Sequence, residues 1–127
     1  MASSTPTYRP GSQGGDNADE VEEVDGPLYE LEAIRSRCAA GKVTFSKKAE
    51  AGYIAEGFSK EAAIDCIATL AGHEYKNSRC YRGLQPFDAY AARRLSGRQP
   101  VYKSLYIKLR IPSPSVVDQV YVTSFHP

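Results

Sequence analysis

VYKSLYIKLRI, Val101 to Ile111, alternates as a strand does: Leu105, Ile107, Leu109 and Ile111 recur at every second position, with Tyr106, Lys108 and Arg110 between them. Successive strand side chains point to opposite faces, so one face of this segment is apolar and calls for a covering layer. The other face carries a phenol and two cations. Such a surface is either an ordinary solvated sheet face, which Lys103 and Arg110 in the same segment also fit, or a binding surface.

The flanks supply the neighbours. Downstream, VDQVYVTSF (117–125) is rich in β-branched and aromatic residues; upstream, HEYKNSRCYR (73–82) alternates imperfectly. Between them QPFDAYAARR (85–94) suits a strand or a short helix, while SGRQP (96–100) and PSPS (112–115) read as turns. Before Gly72 the periodicity is helical. LYELEAIRSRCAAGKV (28–43) places Leu28, Leu31, Ile34 and Cys38 on one face, with Gly41 as the stop. SKKAEAGYIAEG (46–57) has Ser46 as N-cap and Gly57 at its end. Ser59 caps KEAAIDCIATLA (60–71), in which Ala63, Ile67 and Leu70 recur at helical spacing before Gly72. Helices first and strands afterwards predict an α+β domain whose N-terminal helices pack on one face of an antiparallel sheet.

The 127 residues, 42% of them hydrophobic, suit one small domain. A net charge of +1 conceals a division. Residues 1–27 hold six acids against Arg9 alone, a net −5, whereas 28–127 hold fifteen Lys and Arg against nine acids, a net +6. The first segment, poor in apolar residues, reads as a disordered acidic tail. It is a solubilising extension or, less simply, an arm that competes with a polyanion for the basic domain at 28–127. No apolar run approaches the roughly 20 residues that span a bilayer, and MASSTPTYRP lacks the features of a leader, so a cytoplasmic protein with no membrane partner is expected.

Three widely spaced cysteines, Cys38, Cys66 and Cys80, form neither a disulfide framework nor a zinc knuckle. Cys38 and Cys66 lie in helical segments as small hydrophobes, while Cys80 sits among Arg79, Tyr81 and Arg82. That cluster belongs to YKNSRCYRGL (75–84), which concentrates Lys76, Arg79 and Arg82 with two tyrosines and no carboxylate. Cations that answer phosphates beside aromatic faces that stack on bases are the usual means of holding single-stranded nucleic acid. A solvated hairpin has the same composition. The chain has no G-x-x-x-x-G-K phosphate loop and no H-E-x-x-H, and its acids are too scattered for metal hydrolysis.

From Leu28 onward the sequence resembles the MqsR family of type II toxins, messenger-RNA interferases with a RelE-like fold. The resemblance rests on ordered landmarks: a helix ending AAGKV, a second opening TFSKKA, a third leading into Tyr75-Lys76, then FDAY, YIKL and a terminal VYVTSF. It implies metal-independent, cofactor-free cleavage of single-stranded mRNA, commonly ribosome-bound, and neutralisation by a cognate antitoxin protein. Lys76 matches the family's lysine after the third helix, and Tyr106 with Lys108 matches its Y-x-K. Phe87 stands before Asp88 where the family has Gln, with Gln85 two residues away, and His126 follows Ser124-Phe125 where the family has Lys.

Cleaving RNA without a metal requires a base for the 2′-hydroxyl proton, an acid for the leaving 5′-oxygen and cations for the phosphate. A histidine's unperturbed pKa of roughly 6.5 suits His126 to either proton transfer. Lys76 stabilises phosphate charge more readily than it loses its proton, and Tyr106 can donate a proton or orient the phosphate. Arg79 and Arg82 can clamp phosphate oxygens, with Tyr81 and Lys108 completing the substrate surface. Each has a structural alternative: a fraying chain end for His126, a hairpin cation for Lys76 and a packing aromatic for Tyr106. His73 reads as structural. The same surface also suits a non-catalytic RNA-binding or protein-interaction module, or the dock of an acidic partner that the tail mimics.

Overall fold

In the computed structural model, residues 21–81, 84–96, 101–112 and 118–127 are described. Strands β1 (Val21–Val24), β2 (Val43–Phe45), β3 (Tyr75–Tyr81), β4 (Phe87–Leu95), β5 (Tyr102–Arg110) and β6 (Val120–His126) form one sheet in the order β1-β3-β4-β5-β6-β2. All pairings are antiparallel except β2 with β6. Helices α1 (Leu31–Ala39), α2 (Lys47–Ala55) and α3 (Lys60–Ala68) complete an α+β fold.

The alternation of 101–111 sets the layers. Leu105, Ile107 and Leu109 are buried with Tyr90 and Ala92 of β4 and Val120, Val122 and Phe125 of β6. Against them pack Ile34 and Cys38 from α1, Ala49 and Tyr53 from α2, and Ala63, Cys66 and Ile67 from α3. QPFDAYAARR resolves as strand because Asp88, Tyr90 and Ala92 follow a period of two onto the core side, paired residue by residue with β5. The hairpin closes where Ser96 N–H donates to the Val101 carbonyl at 2.9 Å. Most of SGRQP and of PSPS lies outside the described residues.

Both serine caps form. Ser46 Oγ accepts from Ala49 N–H at 3.0 Å and donates to the Thr123 carbonyl at 3.1 Å, so one hydroxyl caps α2 and ties it to β6. Ser59 Oγ accepts from Ala62 N–H at 3.1 Å. Gly41 and Gly57, with φ of 73° and 85°, terminate α1 and α2.

Three expectations are corrected. The first helix begins at Leu31, and Leu28 is exposed off its face. The backbone N–H groups of Leu28 and Tyr29 are instead drawn to the Asp88 carboxylate at 2.9–3.1 Å. The acidic segment is not all tail, because Val21–Val24 pairs antiparallel with Ser78–Tyr81. Residues 1–20 lie outside the described residues. Lys103 does not share a face with Arg110; it lies on the helix side, 3.5 Å from Glu56 Oε1. The three-residue strand β2, too short to carry a periodicity, went unforeseen.

Asp88 is fully buried at the junction of these parts. Besides the two backbone donors, it accepts from Ser78 Oγ at 2.5 Å, and that hydroxyl shares a 2.6 Å hydrogen bond with the Tyr75 hydroxyl. A carboxylate with only acceptor capacity suits a site that presents donors from three directions. Asp88→Asn turns one acceptor into an N–H2 that meets the Leu28 or Tyr29 N–H. It is expected to cost about 2 kcal/mol, measurable by chemical denaturation, with amide exchange accelerating first at residues 21–29.

Candidate nucleic-acid interface

The sheet face opposite the helices carries the even-numbered residues of β5, the odd-numbered residues of β4 and their strand partners. Cations and aromatics interleave there. Lys108 Nζ lies 5.0 Å from the centre of the Tyr81 ring and 5.8 Å from that of Phe87, and donates to the Tyr81 hydroxyl at 2.9 Å. The Arg110 guanidinium sits 4.9 Å from the Phe87 ring centre and 5.1 Å from that of Tyr121. Further along, Arg93 lies 4.9 Å from the Tyr102 ring centre. Such contacts restrict long basic side chains and lower the entropy lost when they bind an anion.

Tyr106 pairs with His126 across β5 and β6, and their ring centroids are 5.5 Å apart at an interplanar angle of 43°. His126 Nδ1 is 2.9 Å from the Pro127 carbonyl. That oxygen only accepts, so in the neutral tautomer whose Nδ1–H donates to it, Nε2 keeps its lone pair.

Lys76 is exposed at a β-bulge, where β3 shifts register against β4 between Tyr75 and Asn77. Strand β4 separates it from Tyr106, a span of two strand spacings or roughly 10 Å. Arg79 is exposed opposite Phe87, with Glu23 of β1 across from it on the other edge. Among the described residues neither cation makes a hydrogen bond or an ion pair. The structure therefore brings together Tyr106 with His126 and Tyr81 with Lys108, sets Lys76 and Arg79 along the same strand, and leaves Arg82 outside the described residues.

No protein-family model matches the sequence, and no curated protein matches it as a relative. Among the described residues no helix is long and apolar enough to cross a membrane, and no group of three or more His, Cys, Asp or Glu is placed to hold a metal ion.

Next to Tyr106 opens a cleft of about 460 Å³ lined by His73, Glu74, Ala91, Arg93, Ser104 and Tyr106, among others. Its back wall is fixed by an ion pair. Arg94 Nη1 and Nη2 donate to the two Glu74 oxygens at 2.7 and 2.9 Å, and Arg94 also reaches Thr69 at the end of α3. Ala71 N–H donates to the same carboxylate at 3.0 Å. The Arg94 hydrogen bonds, against the opposing effect of burial, hold the Glu74 carboxyl below its usual value of 4.5. A lowered folded-state pKa contributes stability that is present above the unfolded value and lost as pH falls through the folded one. Arg94→Ala is expected to cost about 1–2 kcal/mol near neutrality, and its deficit against the wild type should shrink as denaturation is repeated at pH values successively below 4.5.

Burial pushes the Cys38 and Cys66 thiols up to about 11, as suits small core hydrophobes. Cys80 is half-buried, its Sγ 3.4 Å from the Leu84 carbonyl. Gln85 donates to the Tyr29 hydroxyl and the Ile111 carbonyl at 2.8 and 2.6 Å, away from the Tyr106–His126 pair. Sequence reasoning missed Phe87, Tyr102, Tyr121, Arg93 and the cleft residue His73. The first four were legible in principle, since pairing 85–94 as a strand against 101–111 puts Phe87 and Arg93 on the face of Tyr106. His73 carried no signal, because its place depends on the turn Gly72–Glu74.

Proposed function

We propose that the chain is a metal-independent endoribonuclease acting on single-stranded RNA, of the kind its resemblance to the MqsR-type interferases implies. In this reading it is a cytoplasmic toxin with a RelE-like fold, acting on mRNA that is free or ribosome-bound and held in check by a cognate antitoxin. The observation that carries the reading is the helix-free sheet face, where a cation–aromatic array runs into the Tyr106–His126 pair. Single-stranded RNA is bound by stacking on aromatic and guanidinium planes together with phosphate neutralisation, and Tyr81, Tyr121, Lys108 and Arg110, laid over the buried Phe87, offer both.

His126 Nε2 accepts the 2′-hydroxyl proton. The 2′-oxygen then attacks phosphorus while the P–O5′ bond breaks, and a proton passes to the departing 5′-oxygen, leaving a 2′,3′-cyclic phosphate and a 5′-hydroxyl. Tyr106 orients a phosphate oxygen or supplies that proton, and the cations of β3 and β5 hold the dianionic transition state. The test is incubation of the purified protein with mRNA in EDTA: cleavage to cyclic-phosphate ends is expected, with growth arrest on induction. Lys76→Ala should reduce both by about tenfold or more. RNA left intact on and off ribosomes, with no arrest, overturns the proposal.

The distance of Lys76 from Tyr106 favours one alternative, a non-catalytic RNA-binding module. It predicts salt-sensitive RNA binding without products.

A further inference from the structure

The cleft beside Tyr106 has a shape and position of its own. Register places Ala91 directly across from Tyr106 on β4, and Ser104 across from Arg93. Ala91 is exposed and small, so the sheet is low there, with the Tyr106 ring rising on one side and the turn holding His73 and Glu74 on the other. The rim is polar: the Ser104 hydroxyl both donates and accepts, and the Arg93 guanidinium carbon lies 4.9 Å from the Tyr102 ring centre. Pro127, whose oxygen lies 2.9 Å from His126 Nδ1, also lines this hollow and joins it to the Tyr106–His126 pair. A phosphate held against the exposed edges of the touching Tyr106 and His126 rings has its attached nucleoside one strand spacing away, about 5 Å, which is over Ala91.

We infer that this cleft is a nucleobase subsite: it receives the base adjoining the phosphate held at Tyr106 and His126, stacks it on Tyr106 above Ala91, and reads its edge through Ser104 and Arg93. The inference rests on the open face being an RNA surface and adds the element that selects sequence. The volume of about 460 Å³ admits one nucleotide and leaves little room for a second. A base that makes hydrogen bonds to a rim of this kind is preferred over one that leaves the rim groups unpaired.

The experiment is an amide-resolved NMR titration of the full chain with each of the four nucleoside 3′-monophosphates, alongside inorganic phosphate. Nucleotides are expected to shift the amides of Ala91, Arg93 and Ser104, inorganic phosphate only those about Tyr106 and His126, and the four bases to differ at least about fivefold in affinity. Ala91→Leu, at an exposed strand position that tolerates the larger side chain, should weaken every nucleotide by about tenfold or more without changing the response to phosphate. Ser104→Ala, which leaves the strand unaltered, should narrow the differences between bases. Nucleotide shifts no wider than those from phosphate, or unchanged affinities in both variants, overturn the subsite. RNA cleavage is scored separately. Cut RNA with an unresponsive cleft refutes the subsite alone, whereas nucleotides seated over Ala91 without any cleavage support it and remove the nuclease reading.

Discussion

Gly52→Ala is expected to destabilise the protein by about 4 kcal/mol, against the sign that helix propensity predicts. Alanine is normally the better residue inside a helix by about 1 kcal/mol. At Gly52, however, an added Cβ would lie 1.8 Å from the Phe125 carbonyl oxygen and 3.0 Å from its carbon. Both are backbone atoms and cannot be relieved by a rotamer change. Helix α2 cannot slide away cheaply, because Ser46 ties its first turn to Thr123 while Tyr53, two turns on, packs edge-on against Phe125 at 6.1 Å between centroids. Phe125 is held in turn by Phe58 at 5.6 Å. Ala51→Gly, one position away on an exposed part of the same helix, is the control and should cost only about 1 kcal/mol. Thermal and urea unfolding of the pair should therefore give losses that differ severalfold. A neutral or stabilising Gly52→Ala would mean that α2 does not approach β6 this closely. Since His126 adjoins the displaced carbonyl, the variant should also lose whatever activity His126 supports.

How much of this was legible follows from which interactions are local. The layers were written in 101–111, because a strand covered on one side must alternate, and Leu105, Ile107 and Leu109 lie in the core as that pattern requires. Ser46 and Ser59 were legible for the same reason, since a cap bonds within three residues of itself. The segment 85–94 was ambiguous because Ala89, Ala91 and Ala92 suit a helix as well as a strand, and only pairing with β5 decides between them. What the sequence hid was non-local. Nothing near Leu28 announces that its N–H is held by a carboxylate sixty positions away, and that contact shortens α1 and directs the acidic Val21–Val24 to the β3 edge.

The candidate site divides along the same line. Tyr106 and Lys108 were identified by alternation within one strand, and their company in the structure follows from it. Tyr81 meets Lys108 only because β3 and β5 flank β4 with Phe87 between them, its ring 5.7 Å from that of Tyr81. Composition in 75–84 pointed to cations and aromatics without saying which would touch. Two arrangements resulted: Lys108 and Arg110 are laid on rings, whereas Lys76 and Arg79 project from β3. The first pair is preorganised and should contribute mainly to affinity. The second is adaptable and should contribute mainly to salt-dependent attraction of a phosphate chain.

His126→Ala is expected to lower the RNA cleavage rate by about 100-fold to 10,000-fold, the larger of the two catalytic losses predicted for this face. The range follows from the role: a positioned proton acceptor is asked to act on a hydroxyl that water deprotonates poorly, whereas Lys76 contributes charge that neighbouring cations partly replace. The side chain is at the sheet's free face and its ring meets only Tyr106 among the aromatic contacts, so truncation should leave the fold intact, which unfolding curves check directly. Three measurements separate a proton-transfer role from a structural one. RNA affinity, read by fluorescence anisotropy, should change by less than about threefold, because the cation–aromatic array remains. Added imidazole should restore part of the rate in His126→Ala by occupying the vacated space, and should do nothing for Lys76→Ala. Tyr106→Phe, which keeps the ring against His126 and removes the hydroxyl, should lower the rate less than His126→Ala if the phenol only orients phosphate, and comparably if it is the acid that protonates the 5′-oxygen. Cleavage by His126→Ala at the wild-type rate would leave the Tyr106–His126 pair a packing contact at the end of a strand and would transfer the burden of catalysis to β3.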